Sequence, residues 1–255
     1  MCILVCPQQT DIDRTIPWAY GCFCNELPAD PAKRRTIAMK VAIIGAGNVG
    51  TALATSIVRA GHDVIITSRD PEDAANAATA SGARVAASSA AAAAEADVVI
   101  PAVSFRDVSE VATEIAEPAA GKPVVDVTNR IGFGADGPDI DTTSSNAEEL
   151  AQLLPKSPVV KAFNTLFASK QVDPVTDGVQ LDGFVAGDDP SAKAKVLELV
   201  RSIGLRPVDV GPLVRARQLE ALAFLNMALN IVNDGAWQSG WKLVGAPATT
   251  ARKGA

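Results

Sequence analysis

From Lys40 onward, short apolar runs rich in Val and Ile alternate with longer stretches spaced for helix. The runs 41–44, 64–67, 98–103, 124–127, 159–163, 184–186 and 208–210 predict strands, and the stretches 49–60, 74–80, 90–96, 108–115, 147–154 and 192–203 predict helices. Most of the strand runs are continuously apolar, as expected of parallel strands covered on both faces. Strand and helix in strict alternation imply an α/β fold: a Rossmann-type, doubly wound, mostly parallel sheet with right-handed crossovers. Ser145 followed by Glu148 is a capping-box signature for the start of the fifth helix. A last helical stretch, 218–232, is apolar nearly all round, with Asn226 and Asn230 inside it. It predicts a small C-terminal helical appendage buried on every side, in part against a second subunit. Trp237 and Trp241 follow at a spacing that lets them share a helical face, and they read as packing residues.

Residues 1–38 break this pattern. They hold Pro7, Pro17, Pro28 and Pro31, show no sustained periodicity, and end in the charged run Lys33-Arg34-Arg35. We read them as a leader outside the fold, disordered or produced by an upstream start, with Met39 opening the first strand. Asp11, Asp13, Glu26 and Asp30 oppose an organelle-targeting role. The expected organisation is therefore the leader 1–38, a dinucleotide-binding Rossmann domain 39–165, and a small α/β extension 166–255 that contributes a substrate pocket and dimer contacts.

Composition narrows the function. The chain has 255 residues, 48% hydrophobic and 20% charged, ordinary for a globular protein with a sizeable core. A net charge of −6 opposes a nucleic-acid partner and an anionic membrane surface. No apolar stretch reaches spanning length, and the run from Met1 to Cys6 is too short for a secretory signal. All four cysteines, Cys2, Cys6, Cys22 and Cys24, lie in the leader and match no common zinc spacing. A remainder without cysteine fits the reduced cytoplasm, and no metal is expected.

The sharpest motif is Gly45-Ala46-Gly47-Asn48-Val49-Gly50. It follows a predicted strand and opens a predicted helix, the context a dinucleotide loop needs. Gly45 permits the turn, Gly47 lets the backbone approach a pyrophosphate, and Gly50 lets helix and strand pack closely. The helix N-terminus would meet the phosphates. After the second strand, an NAD site usually carries an acid for the ribose 2′-hydroxyl. This chain has Thr67-Ser68-Arg69, and a hydroxyl beside a guanidinium suits the 2′-phosphate of NADP. Asp70 follows and is positioned in sequence to pair with Arg69 instead.

With those residues in view, the chain resembles the NADPH-dependent coenzyme F420 reductase family, the 8-hydroxy-5-deazaflavin:NADPH oxidoreductases. The resemblance runs from about Lys40 to Gly245. It is carried by the glycine loop, G-H-D-V at Gly61, T-S-R at Thr67, D-V-T-N at Asp126, K-A-F-N-T at Lys161, A-G-D-D at Ala186 and L-R-P-V-D-V-G-P-L at Leu205. It implies that Ala46, Gly47, Asn48 and Val49 line the pyrophosphate and that Ser68 and Arg69 hold the 2′-phosphate. Val103, Ser104 and Phe105 would border the nicotinamide-side ribose. Asn164, Thr165 and Leu166, with Asn129, would form the pocket for the deazaflavin co-substrate. It also implies a homodimer. Two positions depart from the characterised deazaflavin reductases: those carry histidine in place of Asn164 and an Ile-Pro-Trp run near Val103.

Hydride transfer between NADP(H) and a deazaflavin needs stacking and orientation more than acid–base groups, so no catalytic side chain is expected. The single histidine, His62, falls at the sheet end opposite the nucleotide crevice and reads as structural. Lys161 reads as a positioning residue, and the segment 130–143, rich in Gly and Asp, as a lid. Competing readings are an NADPH-dependent reductase of another small substrate (flavin, imine, carbonyl or a metal) and a non-catalytic NADP sensor.

Overall fold

The structure is a computed structural model that describes residues 38–134, 137–140 and 142–245. The expectations for the leader 1–38 and its cysteines fall outside the described residues, Ala38 excepted.

Strands β1 (Lys40–Ile44), β2 (Asp63–Thr67), β3 (Arg84–Val85), β4 (Val98–Pro101), β5 (Val124–Asp126) and β8 (Val159–Lys161) lie parallel in the order β3-β2-β1-β4-β5-β8. Between them run α1 (Asn48–Arg59), α2 (Pro71–Ser81), α3 (Ser89–Glu95), α4 (Val108–Ile115) and α5 (Asn146–Leu153). The doubly wound, mostly parallel architecture expected from the alternation is present. The central strands have no exposed face because helices cover both: Val41 and Ile43 pack on one side, Ala42 and Ile44 on the other. That is why β1 reads Lys-Val-Ala-Ile-Ile with no polar alternation.

The sheet continues beyond β8. β11 (Asp182–Gly187) runs antiparallel to β8, and β12 (Arg206–Gly211) lies parallel to β11 after α7 (Pro190–Ser202), giving eight strands. The reversal is made by a short α6 (Ala168–Val172) and a small hairpin, β9 (Val175–Thr176) and β10 (Val179–Gln180). None of the three was legible in the sequence, since each is too short for a period to show. The segment expected as a lid contains a two-stranded ribbon, β6 (Ile131–Gly134) and β7 (Gly137–Ile140).

Several expected ends move inward. The strand foreseen at 98–103 stops at Pro101, so Val103 falls in the following loop. The one foreseen at 159–163 stops at Lys161, because the chain turns sharply through Phe163 at φ +64. Ser145 does cap α5: its Oγ accepts from the Glu148 N–H at 3.2 Å.

The last helix, α8 (Ala216–Val232), packs one face on the rest of the chain and leaves the other uncovered within it. Its inward face carries Glu220, Asn226 and Asn230 beside Leu219 and Ala223. Its outward face is apolar, with Leu225, Leu229, Ile231 and Val232 between 47% and 81% exposed. The two tryptophans do not share a helical face. Trp237 has φ +57 and meets Phe167 edge-on at 5.2 Å, whereas Trp241 packs with Phe184 and Leu219. Asp182 ties this C-terminal segment down. Its carboxylate accepts two hydrogen bonds of 2.6 Å from Arg206, a 2.7 Å bond from the Leu243 N–H, and pairs with Lys242 at 3.3 Å.

Candidate functional site

The turn from β1 into α1 is shaped by its glycines. Gly45 has φ +115, and a Cβ there would fall 2.3 Å from the Ala102 carbonyl oxygen. A Cβ at Gly50 would fall 2.0 Å from the Gly45 carbonyl oxygen, so only glycine lets α1 start this close to its strand. A Cβ at Gly47, by contrast, would meet nothing within 4 Å. That open side is where a bound group can approach the backbone. Gly47 is the N-cap of α1 and no side chain caps the helix. The first N–H groups of this twelve-residue helix thus have no side-chain acceptor, and the loop fits a dinucleotide pyrophosphate.

The loop opens on a cleft of about 390 Å3 over the ends of β1, β2 and β4. Gly45, Ala46, Gly47, Ser68, Arg69, Val103 and Ser104 of the expected cofactor residues line it. Asn48, Val49 and Gly50 are the first residues of α1 and do not line the cleft. Phe105 does not line the cleft; the Arg106 guanidinium lies over its ring at 5.5 Å. Asp70 is not the partner of Arg69. Its carboxylate caps α2 by accepting from the Glu72 N–H at 2.8 Å, and Arg69 pairs with Asp107 at 3.3 Å. The N-cap role outcompetes the neighbouring guanidinium because the helix N–H groups need an acceptor in any case.

One strand further along, the D-V-T-N and K-A-F-N-T segments meet. Lys161 is completely buried, and its ammonium donates to Asp126 at 2.6 Å, to the Thr128 carbonyl at 2.6 Å and to Glu220 of α8 at 2.7 Å. All three of its protons are used, which supports the positional reading of this lysine. Glu220 also accepts from the Asn146 N–H at 3.0 Å and the Arg130 N–H at 3.2 Å. Thr128 donates to Asp126 at 2.7 Å and accepts from Asn146 at 2.9 Å. Burial pushes the Glu220 carboxyl above its ordinary value, against the pull of Lys161.

Directly above this network, Asn129 and Asn164 hold each other. Asn164 Nδ2 donates to Asn129 Oδ1 at 2.9 Å, and Asn129 Nδ2 donates to the Asn164 carbonyl at 3.1 Å. Asn164 Nδ2 also donates to the Leu219 carbonyl at 3.0 Å, leaving its Oδ1 buried with no hydrogen-bond partner. Thr165 and Leu166 follow, both buried. Asp126, Thr128, Asn146 and Glu220 were not foreseen as a group. Their signal is weak but real: Glu220 is the one acid in a mostly apolar helix, and a buried acid demands a partner.

His62 lies at the other end of the sheet. Its Nδ1 accepts from the Met39 N–H at 3.1 Å and its Nε2 lies 2.9 Å from Ser202 Oγ. Burial holds the imidazole below its ordinary pKa, in spite of nearby Glu198. It lies away from the cleft, at the sheet end where the sequence placed it.

Residues 40–130 match the family described as NADP oxidoreductase, coenzyme F420-dependent. Over 211 residues the chain is 34% identical to the F420-dependent NADP reductase of Methanothermobacter marburgensis, covering 76% of this chain and 94% of that one. It is also 36% identical over 186 residues to Metalloreductase STEAP3 of Rattus norvegicus, covering 72% of this chain but 36% of that protein. The chain thus spans about a third of the metalloreductase's length. A crystal structure from Arthrobacter sp. FB24, provisionally described as an F420-dependent NADP reductase, superposes with a TM-score of 0.74 at 30% identity, covering 81% of this chain and all of that one. Among the described residues, no helix is long and apolar enough to cross a membrane.

Proposed function

The chain belongs to the family of coenzyme F420-dependent NADP oxidoreductases, and from that premise we propose that it transfers a hydride between NADP(H) and a deazaflavin of the coenzyme F420 type. The observation that carries the reading is the extent of the likeness. The Methanothermobacter reductase is matched over 94% of its length, whereas the metalloreductase is matched over 36% of its own.

In this reading the nicotinamide of NADPH supplies the hydride, and the chain's own residues bind, orient and exclude water. Ala46, Gly47, Asn48 and Val49 hold the pyrophosphate through backbone N–H groups at the start of α1. Ser68 and Arg69 hold the 2′-phosphate. Val103 and Ser104 border the nicotinamide-side ribose. Asn129 and Asn164 orient the acceptor beyond the ends of β5 and β8, with Thr165 and Leu166 supporting the pocket. An amide donates and accepts but does not titrate near neutrality, so neither asparagine is a general base. Lys161 is fully engaged with Asp126, Thr128 and Glu220 and is not free to relay a proton.

A second copy of the chain covers the outward face of α8, the largest run of exposed apolar side chains in the described helices. Light scattering at micromolar concentration should give a dimer, and Leu229→Glu should shift it to monomer; a monomeric parent protein would contradict this.

The likeness to the metalloreductase favours a second reading, reduction of a flavin that passes electrons to a metal. Stopped-flow mixing of NADPH-loaded protein with oxidised deazaflavin, with free flavin, and with flavin plus a ferric chelate separates the two. The proposal expects NADPH oxidation with deazaflavin to be fastest. Oxidation with flavin alone would favour the second reading, and no oxidation with any acceptor would leave a nucleotide-binding module.

A further inference from the structure

Asp107 occupies the N-cap of α4, yet its side chain makes no hydrogen bond to the helix. Aspartate in that place ordinarily accepts from a first-turn N–H. Here the carboxylate turns across the mouth of the cleft to Arg69, with Oδ2 3.3 Å from Nη2. The guanidinium is 78% exposed and the carboxylate 32%, so the contact adds little to stability.

Its surroundings give it another consequence. Asp107, Glu110 and Glu114 stand three and four positions apart and together line the cleft from one face of α4. Arg69 is the one cationic side chain among the described residues lining the cleft. Arg106, next to Asp107, is turned over the Phe105 ring instead. The end of the cleft that carries Ser68 and Arg69 thus has an acidic opposite wall. A 2′-phosphate arriving at Arg69 must displace a carboxylate and then remain near it. A 2′-hydroxyl carries no charge and faces no such competition.

We propose that Asp107 is a specificity-determining residue that restrains the preference for NADPH over NADH, by holding Arg69 and opposing the 2′-phosphate. The inference rests on the reading of Arg69 as the 2′-phosphate ligand. The selectivity supplied by Ser68 and Arg69 is then partly offset by a neighbour at the start of α4. An acid in this position lets NADH compete better than it would beside a basic wall.

The test is equilibrium titration of the full-length protein with NADPH and with NADH, followed by nicotinamide fluorescence. Asp107→Asn keeps the size and capping capacity of the side chain and removes the charge. It should tighten NADPH about three- to tenfold and leave NADH within about twofold. Asp107→Ser should do the same, and Asp107→Glu should behave like the parent. In an Arg69→Ala background the gain from Asp107→Asn should shrink to about twofold or less, because the pair is already broken. NADPH binding that is unchanged or weaker in both Asp107→Asn and Asp107→Ser overturns the proposal. So does equal tightening of both nucleotides, or a gain that persists in full without Arg69. If Arg69→Ala by itself leaves the NADPH-to-NADH ratio unchanged, the reading of Arg69 fails, and the proposal with it. A normal Arg69 effect beside a silent Asp107→Asn overturns only the proposal.

Discussion

In the nucleotide cleft the backbone does the positioning. Gly45 and Gly50 bring α1 against β1 and β4, Gly47 leaves the helix N-terminus open, and Arg69, the one cationic side chain among the described residues lining the cleft, stands largely in solvent. In the neighbouring cluster side chains do it. Lys161, Asp126 and Glu220 are buried, and they join β5, β8 and α8 beneath the Asn129–Asn164 pair. The first arrangement can lose a side chain and keep its shape. The second cannot, because each partner removed strands a charge out of water. The difference teaches where substitutions will read out: binding in the cleft, folding in the cluster.

The largest expected effect lies in the cluster. Lys161→Met leaves Asp126 and Glu220 facing each other without a cation and should cost about 3–5 kcal/mol in denaturant unfolding. Lys161→Met with Glu220→Gln should recover part of that loss, since one of the two carboxylates is removed. A loss below about 1 kcal/mol for the single variant would break the comparison, because the cluster would then behave like a surface pair.

The cleft should answer in the opposite way. Arg69→Ala is expected to weaken NADPH by about 1.5–3 kcal/mol, the range for a hydrogen bond to a charged group. NADH binding and the melting temperature without nucleotide should barely move, since the Arg69–Asp107 contact is exposed. Calorimetric titration beside thermal melts would check both, and equal weakening of the two nucleotides would contradict the account.

A smaller effect sharpens the comparison at a third place, where a buried charge ties down the chain after α8. Burial by itself would push the Asp182 carboxyl up, but Arg206, the Leu243 N–H and Lys242 outweigh it and hold the carboxyl below its usual value. A lowered folded-state value adds stability that is present above the unfolded carboxylate pKa of about 3.9 and is lost as pH falls through the folded value. Asp182→Asn should therefore cost about 1–2 kcal/mol at neutral pH. The gap to the parent should close as the pH drops below about 4. A gap that stays constant with pH would mean that packing, not charge, anchors the segment.

The two regions were also unequally legible. The cleft is written in one contiguous stretch, Gly45 to Gly50, plus the three residues Thr67 to Arg69 that end the next strand. A local motif in a strand–helix context is enough to find it. The cluster draws on Asp126, Asn146, Lys161 and Glu220, separated by up to ninety-four residues in a chain whose topology sets their meeting. Only the motifs themselves, D-V-T-N and K-A-F-N-T, pointed there. The pattern of apolar runs placed the parallel strands because both their faces are buried. In α8 it showed a helix apolar nearly all round, but not which face turns inward, since Glu220, Asn226 and Asn230 carry the inward side. It also missed the 131–140 ribbon and the β9–β10 hairpin, whose strands are too short to show a period. Sequence adjacency also could not settle the neighbour of Arg69: a capping duty claims Asp70, and Asp107 at the start of α4 takes its place.

The division of labour between the two regions is tested most directly by single-turnover oxidation of NADPH in Asn164→Ala, measured against NADPH concentration with saturating oxidised deazaflavin. The limiting rate reports hydride transfer, and the half-saturating concentration reports the cleft. If Asn164 orients the acceptor while the glycine loop and Arg69 bind the nucleotide, the limiting rate should fall about tenfold or more, with half-saturation within a few-fold of the parent. The pH profile should lose no titrating limb, because an amide does not titrate there. An unchanged limiting rate with a large rise in half-saturation would place Asn164 with the nucleotide and contradict the account.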